Sequence, residues 1–264
     1  MHSLSLANLL AVTLLLPLGM GGMGVASAQT LTTLHSFSTS TNGTNWDGAY
    51  PNAVTLSSDG RTLYGTTYFG GTSDYGTVFS IPVTGGAPTV LASFNDPNDP
   101  DNPIGGMPNA VTLSSDGKTL YGTTSSGGTG FGGGTVFSIP VTGGALAVLA
   151  TFNFSDGAYP LAPLTLSSDG NTLYGTTTQG GTNGTNNGGN GYGTIFSIPV
   201  TGGVPTVLAS FNFNDPYAPQ APLTLSADGN TLYGTTEYGG IYGTNDETVA
   251  NLSLIHISEP TRPY

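Results

Sequence analysis

Ala110-Val111-Thr112-Leu113-Ser114-Ser115-Asp116-Gly117-Lys118-Thr119-Leu120-Tyr121-Gly122-Thr123-Thr124 reads as one β-hairpin. From Val111 to Ser114, apolar and polar side chains alternate, as they do in a strand buried on one face. Asp116-Gly117 is a turn signal, because glycine enters positive φ without steric cost. Thr119 to Thr124 is the return strand. A glycine-rich loop leads to a third strand, Gly134 to Ile139, with Pro140 at its end, where a missing N–H does least harm. Thr142-Gly143-Gly144 then turns the chain into a fourth strand, Ala147 to Phe152. These strands are A, B, C and D of one unit.

The unit recurs. Leu63-Tyr64-Gly65-Thr66-Thr67 returns at 120–124, 173–177 and 232–236, with its tyrosines 57, 53 and 59 residues apart (121−64, 174−121, 233−174). Asp-Gly stands at each A–B turn (Asp59, Asp116, Asp169, Asp228), and Thr-Gly-Gly at three C–D turns. Four antiparallel strands per unit, units in tandem and no helical period predict an all-β fold. The expected form is a β-propeller-like array of four-stranded blades, incomplete in this chain. One blade cannot bury both faces, so blades must stack. A β-solenoid is the alternative, although its coils are usually shorter and less hairpin-like. The N-terminal run Leu31 to Phe37 matches strand D of the other units but has no strands A–C before it.

Composition narrows the function. Three Lys and Arg against 15 Asp and Glu give a net charge of −12, and charged residues are 7% of the chain. So few cations argue against a nucleic-acid partner. The absence of cysteine removes thiol nucleophiles, disulfides and thiolate metal sites.

Both ends differ from the repeat. Leu9 to Leu18 is an apolar run followed by Ala26-Ser27-Ala28, so residues 1–28 read as a signal peptide, with export to the cell surface or medium. That run is too short to span a bilayer, and no membrane span is expected in the mature chain. At the other end, Leu252 to Arg262 resembles the translation of a sequencing-library adaptor. Residues 252–264 therefore read as a non-native tail, and 29–251 as one repeat domain of about four units, the last truncated. On that reading the anchor is unknown.

The L-Y-G-T-T segment, the G-G-T loop and the G-T-V-F-S-I strand resemble the Gloeo/Verruco tandem repeat of bacterial exported choice-of-anchor proteins. The resemblance runs over about residues 31 to 245. It implies an exported surface protein and brings no catalytic residues. In the fourth unit, no G-T-V-F strand follows Tyr242-Gly243-Thr244.

The topology sorts the loops. A–B and C–D turns share one face and are short and uniform; B–C and D–A connections share the other and vary in length. Recognition is expected on the variable face. That face carries Trp46, Asp47 and Tyr50, then Asp156 and Tyr159, then Asp215 and Tyr217. Rings beside carboxylates suit stacking on sugars and bonding to hydroxyls, so an extracellular polysaccharide or a surface protein is the expected partner; solvated loop residues are the plainer reading. Asp96, Asp99 and Asp101 supply hard oxygen ligands that could hold Ca²⁺, although their prolines and spacing do not meet the EF-hand pattern.

Catalysis has little to work with. A Ser-His-Asp triad needs a histidine base, and His35 is the one histidine outside the two ends. A histidine zinc site needs more ligands. A carboxylate pair is the chemistry left open: a propeller-type glycoside hydrolase using Asp47, Asp156 and Asp215 is the alternative to a non-enzymatic interaction module.

Overall fold

The computed structural model describes residues 9–11, 30–37, 47–99, 103–128, 132–182, 191–212, 217–237 and 253–258. No helix occurs among them. Blade 1 comprises β3 (Ala49–Pro51), β4 (Thr55–Leu56), β5 (Thr62–Phe69), β6 (Thr77–Pro82) and β7 (Thr89–Ser93). Blade 2 comprises β8 (Gly106–Pro108), β9 (Thr112–Leu113), β10 (Thr119–Ser126), β11 (Thr135–Pro140) and β12 (Ala147–Thr151). Blade 3 comprises β13 (Thr165–Leu166), β14 (Thr172–Thr177), β15 (Thr194–Pro199) and β16 (Thr206–Ser210). Blade 4 has β17 (Thr224–Leu225), β18 (Thr231–Thr236) and β19 (Ser253–Ser258). Each blade is an antiparallel meander, which favours the propeller-like array over the β-solenoid.

Strand A departs from the sequence reading. Instead of one run from Ala110 to Ser114, two short pieces flank a break: β8 pairs with the far end of β10 and β9 with its near end. Blade 1 repeats the split with β3 and β4. Asn52 and Asn109 sit in the break and use it. The Asn52 amide donates to Thr66 Oγ1 at 3.0 Å and to the Pro108 carbonyl of the next blade at 2.9 Å. The Asn109 amide makes the same bonds to Thr123 Oγ1 and the Pro160 carbonyl.

The core lies between blades. Strand B turns its Leu to the preceding blade and its Tyr to the following one, so Tyr64 clusters with Val111, Leu120, Phe137 and Ile139 of blade 2. Tyr121 and Tyr174 repeat this against blades 3 and 4. Across each junction a strand-D phenylalanine meets a strand-C phenylalanine edge-on: Phe37–Phe79, Phe94–Phe137 and Phe152–Phe196, with centroids 4.9–5.2 Å apart. Phe79, Phe137 and Phe196 reach over Gly65, Gly122 and Gly175, their register partners. A Cβ on Gly122 would stand 2.5 Å from Phe137 Cζ, so the glycine of L-Y-G-T-T makes room for the ring.

The C–D turns also bind blades. Gly86 N–H donates to the Leu34 carbonyl, Gly144 N–H to Leu91 and Gly203 N–H to Leu149. Leu34 belongs to β2 (Thr33–Ser36), so β2 occupies the place of a strand D, as its sequence indicates, with a shorter span than Leu31 to Phe37.

The two ends take part in pairing. β1 (Leu9–Ala11), inside the expected signal segment, pairs antiparallel with β2; the rest of residues 1–28 lies outside the described residues. Residues 253–258, expected as a tail beyond the repeat, form β19 and lie in register on β18, with Ile255 opposite Gly234 where blades 1–3 place phenylalanine. Leu254-Ile255-His256-Ile257 contains the alternation that a strand position in this sheet accepts.

Candidate functional site

The variable face is built on a repeated backbone device. Tyr50, Met107, Tyr159 and Ala218, each just before a proline, have φ of 55–57°. Non-glycine residues adopt this left-handed region at a cost, and here it recurs at the same point of every D–A connection. Tyr50 is 57% exposed, whereas Met107, Tyr159 and Ala218 are half-buried.

Rings flank these positions. Tyr50 packs edge-on against Phe69 (5.8 Å), which in turn meets Tyr68 (4.8 Å). Tyr159 packs against Phe154 (5.9 Å) and Tyr217 against Tyr192 (5.2 Å). Phe69, Phe154 and Tyr192 were not singled out from the sequence; Phe69 and Tyr192 lie at the B–C connection, while Phe154 lies in the same D–A connection as Tyr159. In the fourth unit Ala218 takes the left-handed position, so Tyr217 stands where Ala158 does in the third.

Asp156 and Asp96 are bound into their own loops, and Asp47 is bound to β2. Asp47 Oδ2 lies 3.1 Å from His35 Nε2, a half-buried pair that ties the D–A connection to β2. The His35 ring also packs edge-on against Phe37 at 4.8 Å. Asp156 Oδ1 accepts the Asn153 N–H at 3.0 Å, while Asn153 Oδ1 accepts from Ser155 N–H and Oγ. Burial pushes the Asp156 carboxyl above its ordinary value, against the opposing pull of the Asn153 and Asp156 backbone N–H groups. Asp96 Oδ1 accepts both the N–H and the side-chain amide of Asn98, a local turn. Tyr75 beside it has its phenol raised, first by desolvation and then by the Asp96 charge. Among the described residues no cluster of three or more His, Cys, Asp or Glu could hold a metal. Trp46, Asp101 and Asp215 lie outside the described residues.

The opposite face is structural. In each A–B turn a serine hydroxyl donates to the Asp of Asp-Gly (Ser57–Asp59, Ser114–Asp116, Ser167–Asp169, Ser226–Asp228) at 2.5–2.6 Å. The same serine oxygen accepts the N–H of the first strand-B residue. No helix among the described residues is long and apolar enough to cross a membrane.

Stacked antiparallel meanders with one uniform and one variable face define a β-propeller-type repeat protein. The chain belongs to the Gloeobacter/Verrucomicrobia repeat family, whose pattern matches residues 21–247. Solved structures of similar fold include one assigned as TolB from Agrobacterium tumefaciens (TM-score 0.50, 15% identity, 87% of this chain and 62% of that one). TolB from Acinetobacter baumannii is similar at TM-score 0.47 and 17% identity, over 81% of this chain and 42% of that one. A gluconolactonase from Xanthomonas campestris is similar at 0.46 and 17%, over 72% and 57%. This chain thus spans less than two thirds of their length. No curated protein matches the sequence.

Proposed function

We propose that this chain is a non-enzymatic, exported structural and interaction module of a bacterial cell surface or its surroundings. Its variable face makes weak contacts with an extracellular polysaccharide, and these add through multivalency across blades. The observation that supports this reading is the recurrence of ring-braced tyrosines in a left-handed backbone on the variable face: exposed Tyr50 on Phe69 and half-buried Tyr159 on Phe154. A rigid aromatic plane with few rotatable bonds presents contact area at low entropic cost. Affinity electrophoresis through gels containing a mixed-linkage glucan, a galactomannan or polygalacturonate tests it. Tyr50→Ala and Tyr159→Ala are each expected to weaken retardation by about two- to tenfold, the equivalent of about 0.5–1.5 kcal/mol per ring contact, and the double variant by the product. Unretarded migration in every gel would reject polysaccharide as the partner.

One observation favours the hydrolase reading: burial raises the Asp156 carboxyl, as a general acid requires. Its Oδ1 is nevertheless engaged by Asn153 N–H, and Asp47 by His35. Release of reducing ends from the same three polysaccharides, abolished by Asp156→Asn, would establish it.

A further inference from the structure

One pentapeptide occurs twice on the variable face: Asp47-Gly48-Ala49-Tyr50-Pro51 and Asp156-Gly157-Ala158-Tyr159-Pro160. Its Asp-Gly bond also stands in the four A–B turns, so the chain holds six such bonds. Glycine has no Cβ to obstruct its nitrogen, which can therefore attack the preceding side-chain carboxyl. The fold decides which of the bonds is free to react in this way. The A–B turns are locked twice. Each glycine N–H donates to a serine carbonyl, Gly60 to Ser57, Gly117 to Ser114, Gly170 to Ser167 and Gly229 to Ser226, at 2.9–3.0 Å. The hydroxyl of the same serine donates to the Asp carboxylate. That bond favours the charged form, whose carbon resists nucleophilic attack.

On the variable face the locks differ. In blade 1 the Gly48 N–H donates to no described residue, but Asp47 is paired with His35 at 3.1 Å. In blade 3 neither lock is present. Gly157 is buried, and its N–H donates to no described residue, an uncommon state for a buried donor. Among the described residues no hydroxyl or cation meets the Asp156 carboxyl, and burial favours its neutral form.

We propose that Asp156-Gly157 is a modification site, at which the backbone rearranges spontaneously to isoaspartate. The Gly157 nitrogen bonds to Asp156 Cγ and gives up its proton. Oδ2 leaves as water, carrying that proton and the acid's own. The Asn153 N–H, 3.0 Å from Oδ1, stabilises the charge that develops there. Water then reopens the cyclic imide. Opening at Cγ restores aspartate. Opening at the Asp156 carbonyl carbon leaves a free carboxylate there and a main chain that runs through Cβ and Cγ, one methylene longer. The insertion falls between Phe154 and Tyr159, whose rings pack together. It also disturbs the bonds from Phe154 N–H to the Gly157 carbonyl and from Thr194 Oγ1 to the Asp156 carbonyl. An effect on polysaccharide binding rests on the function proposed above; the rearrangement itself does not.

Prolonged incubation of the full chain at physiological temperature and pH tests the proposal, with isoaspartate read site by site from chymotryptic peptides by electron-transfer fragmentation. Asp156 is expected to convert about tenfold faster than Asp59, Asp116, Asp169 or Asp228, where two hydrogen bonds, each worth about two- to tenfold, must open first. Asp47 is expected to fall between them. In concentrated urea the rates should converge, because the locks belong to the fold. Ser114→Ala is expected to raise conversion at Asp116 and leave Asp156 unchanged. Asp156→Glu, whose longer side chain disfavours the ring closure, is expected to remove the product from that peptide. A rate at Asp156 no greater than at the other Asp-Gly bonds would overturn the proposal. So would a ranking that urea leaves unchanged.

Discussion

Gly122 and Phe137 show how one position can be dictated by its neighbour. The ring lies where a Cβ would be, at 2.5 Å, and the ring in turn is held by Phe94 of the preceding blade. Gly122→Ala is expected to destabilise by about 1–3 kcal/mol through overpacking. Most of that penalty should vanish when Phe137 is already alanine, a coupling that a urea double-mutant cycle measures. The A–B turn aspartates give a pH prediction. The hydroxyls of Ser57, Ser114 and Ser226 foremost, then the backbone N–H two residues after each aspartate, hold Asp59, Asp116 and Asp228 below the ordinary value of 3.8. A carboxyl lowered by folding contributes stability that is present above its unfolded pKa and is lost as pH falls through its folded one. The urea midpoint should therefore drop on acidification below about pH 4, with a shallower drop in Ser114→Ala. These aspartates were legible as turn formers because Asp-Gly recurs at a fixed phase. The Asp47–His35 pair was not, because the partners belong to a loop and a strand that only packing brings together.

At the scale of the strand, the return hairpin, the Gly-Thr-Val-Phe strand and the Thr-Gly-Gly turn were readable from alternation and turn chemistry. The split of strand A was not. Val111 satisfies the alternation yet lies outside both pieces, because Asn109 N–H and amide are turned to Thr123 and Pro160, and β8 starts a separate pairing. The fourth blade extends the point. β19 fills the strand-C place with Ile255 over Gly234, where Ile255 Cδ1 is 3.5 Å from the position of an added Cβ, looser than the phenylalanines of blades 1–3. Ile255→Phe is expected to restore the ring-over-glycine arrangement and add an edge-on contact with Phe211. The gain should be about 0.5–1.5 kcal/mol, read as a higher urea midpoint for the last blade.

For the whole molecule, stability is a sum over blades and junctions. Blades 2 and 3 have a blade on either side, and Tyr121, Phe137, Tyr174 and Phe196 are at most 8% exposed. In blade 4, whose described strands are β17, β18 and β19, Tyr233 is 42% exposed. Amide exchange should accordingly be slowest in β10, β11, β14 and β15, and fastest in β18 and β19; uniform protection across all four blades would contradict a stack of semi-independent units. The sequence by itself determined the class of this protein. Period-2 alternation, Asp-Gly and Gly-Gly turns and a repeat of 53–59 residues are local or periodic features, and local geometry translates them directly into antiparallel blades. It also indicated which loops share a face, since that follows from strand direction alone. Only the tertiary structure decided which surface each side chain meets. Stacking converted the tyrosine and threonine of L-Y-G-T-T into junction residues and placed phenylalanine from one blade on the next, and the loop fold set Tyr50 and Tyr159 in a left-handed backbone, each beside a second ring. Those outcomes depend on contacts between residues far apart in the chain, and such contacts leave no periodic trace along it.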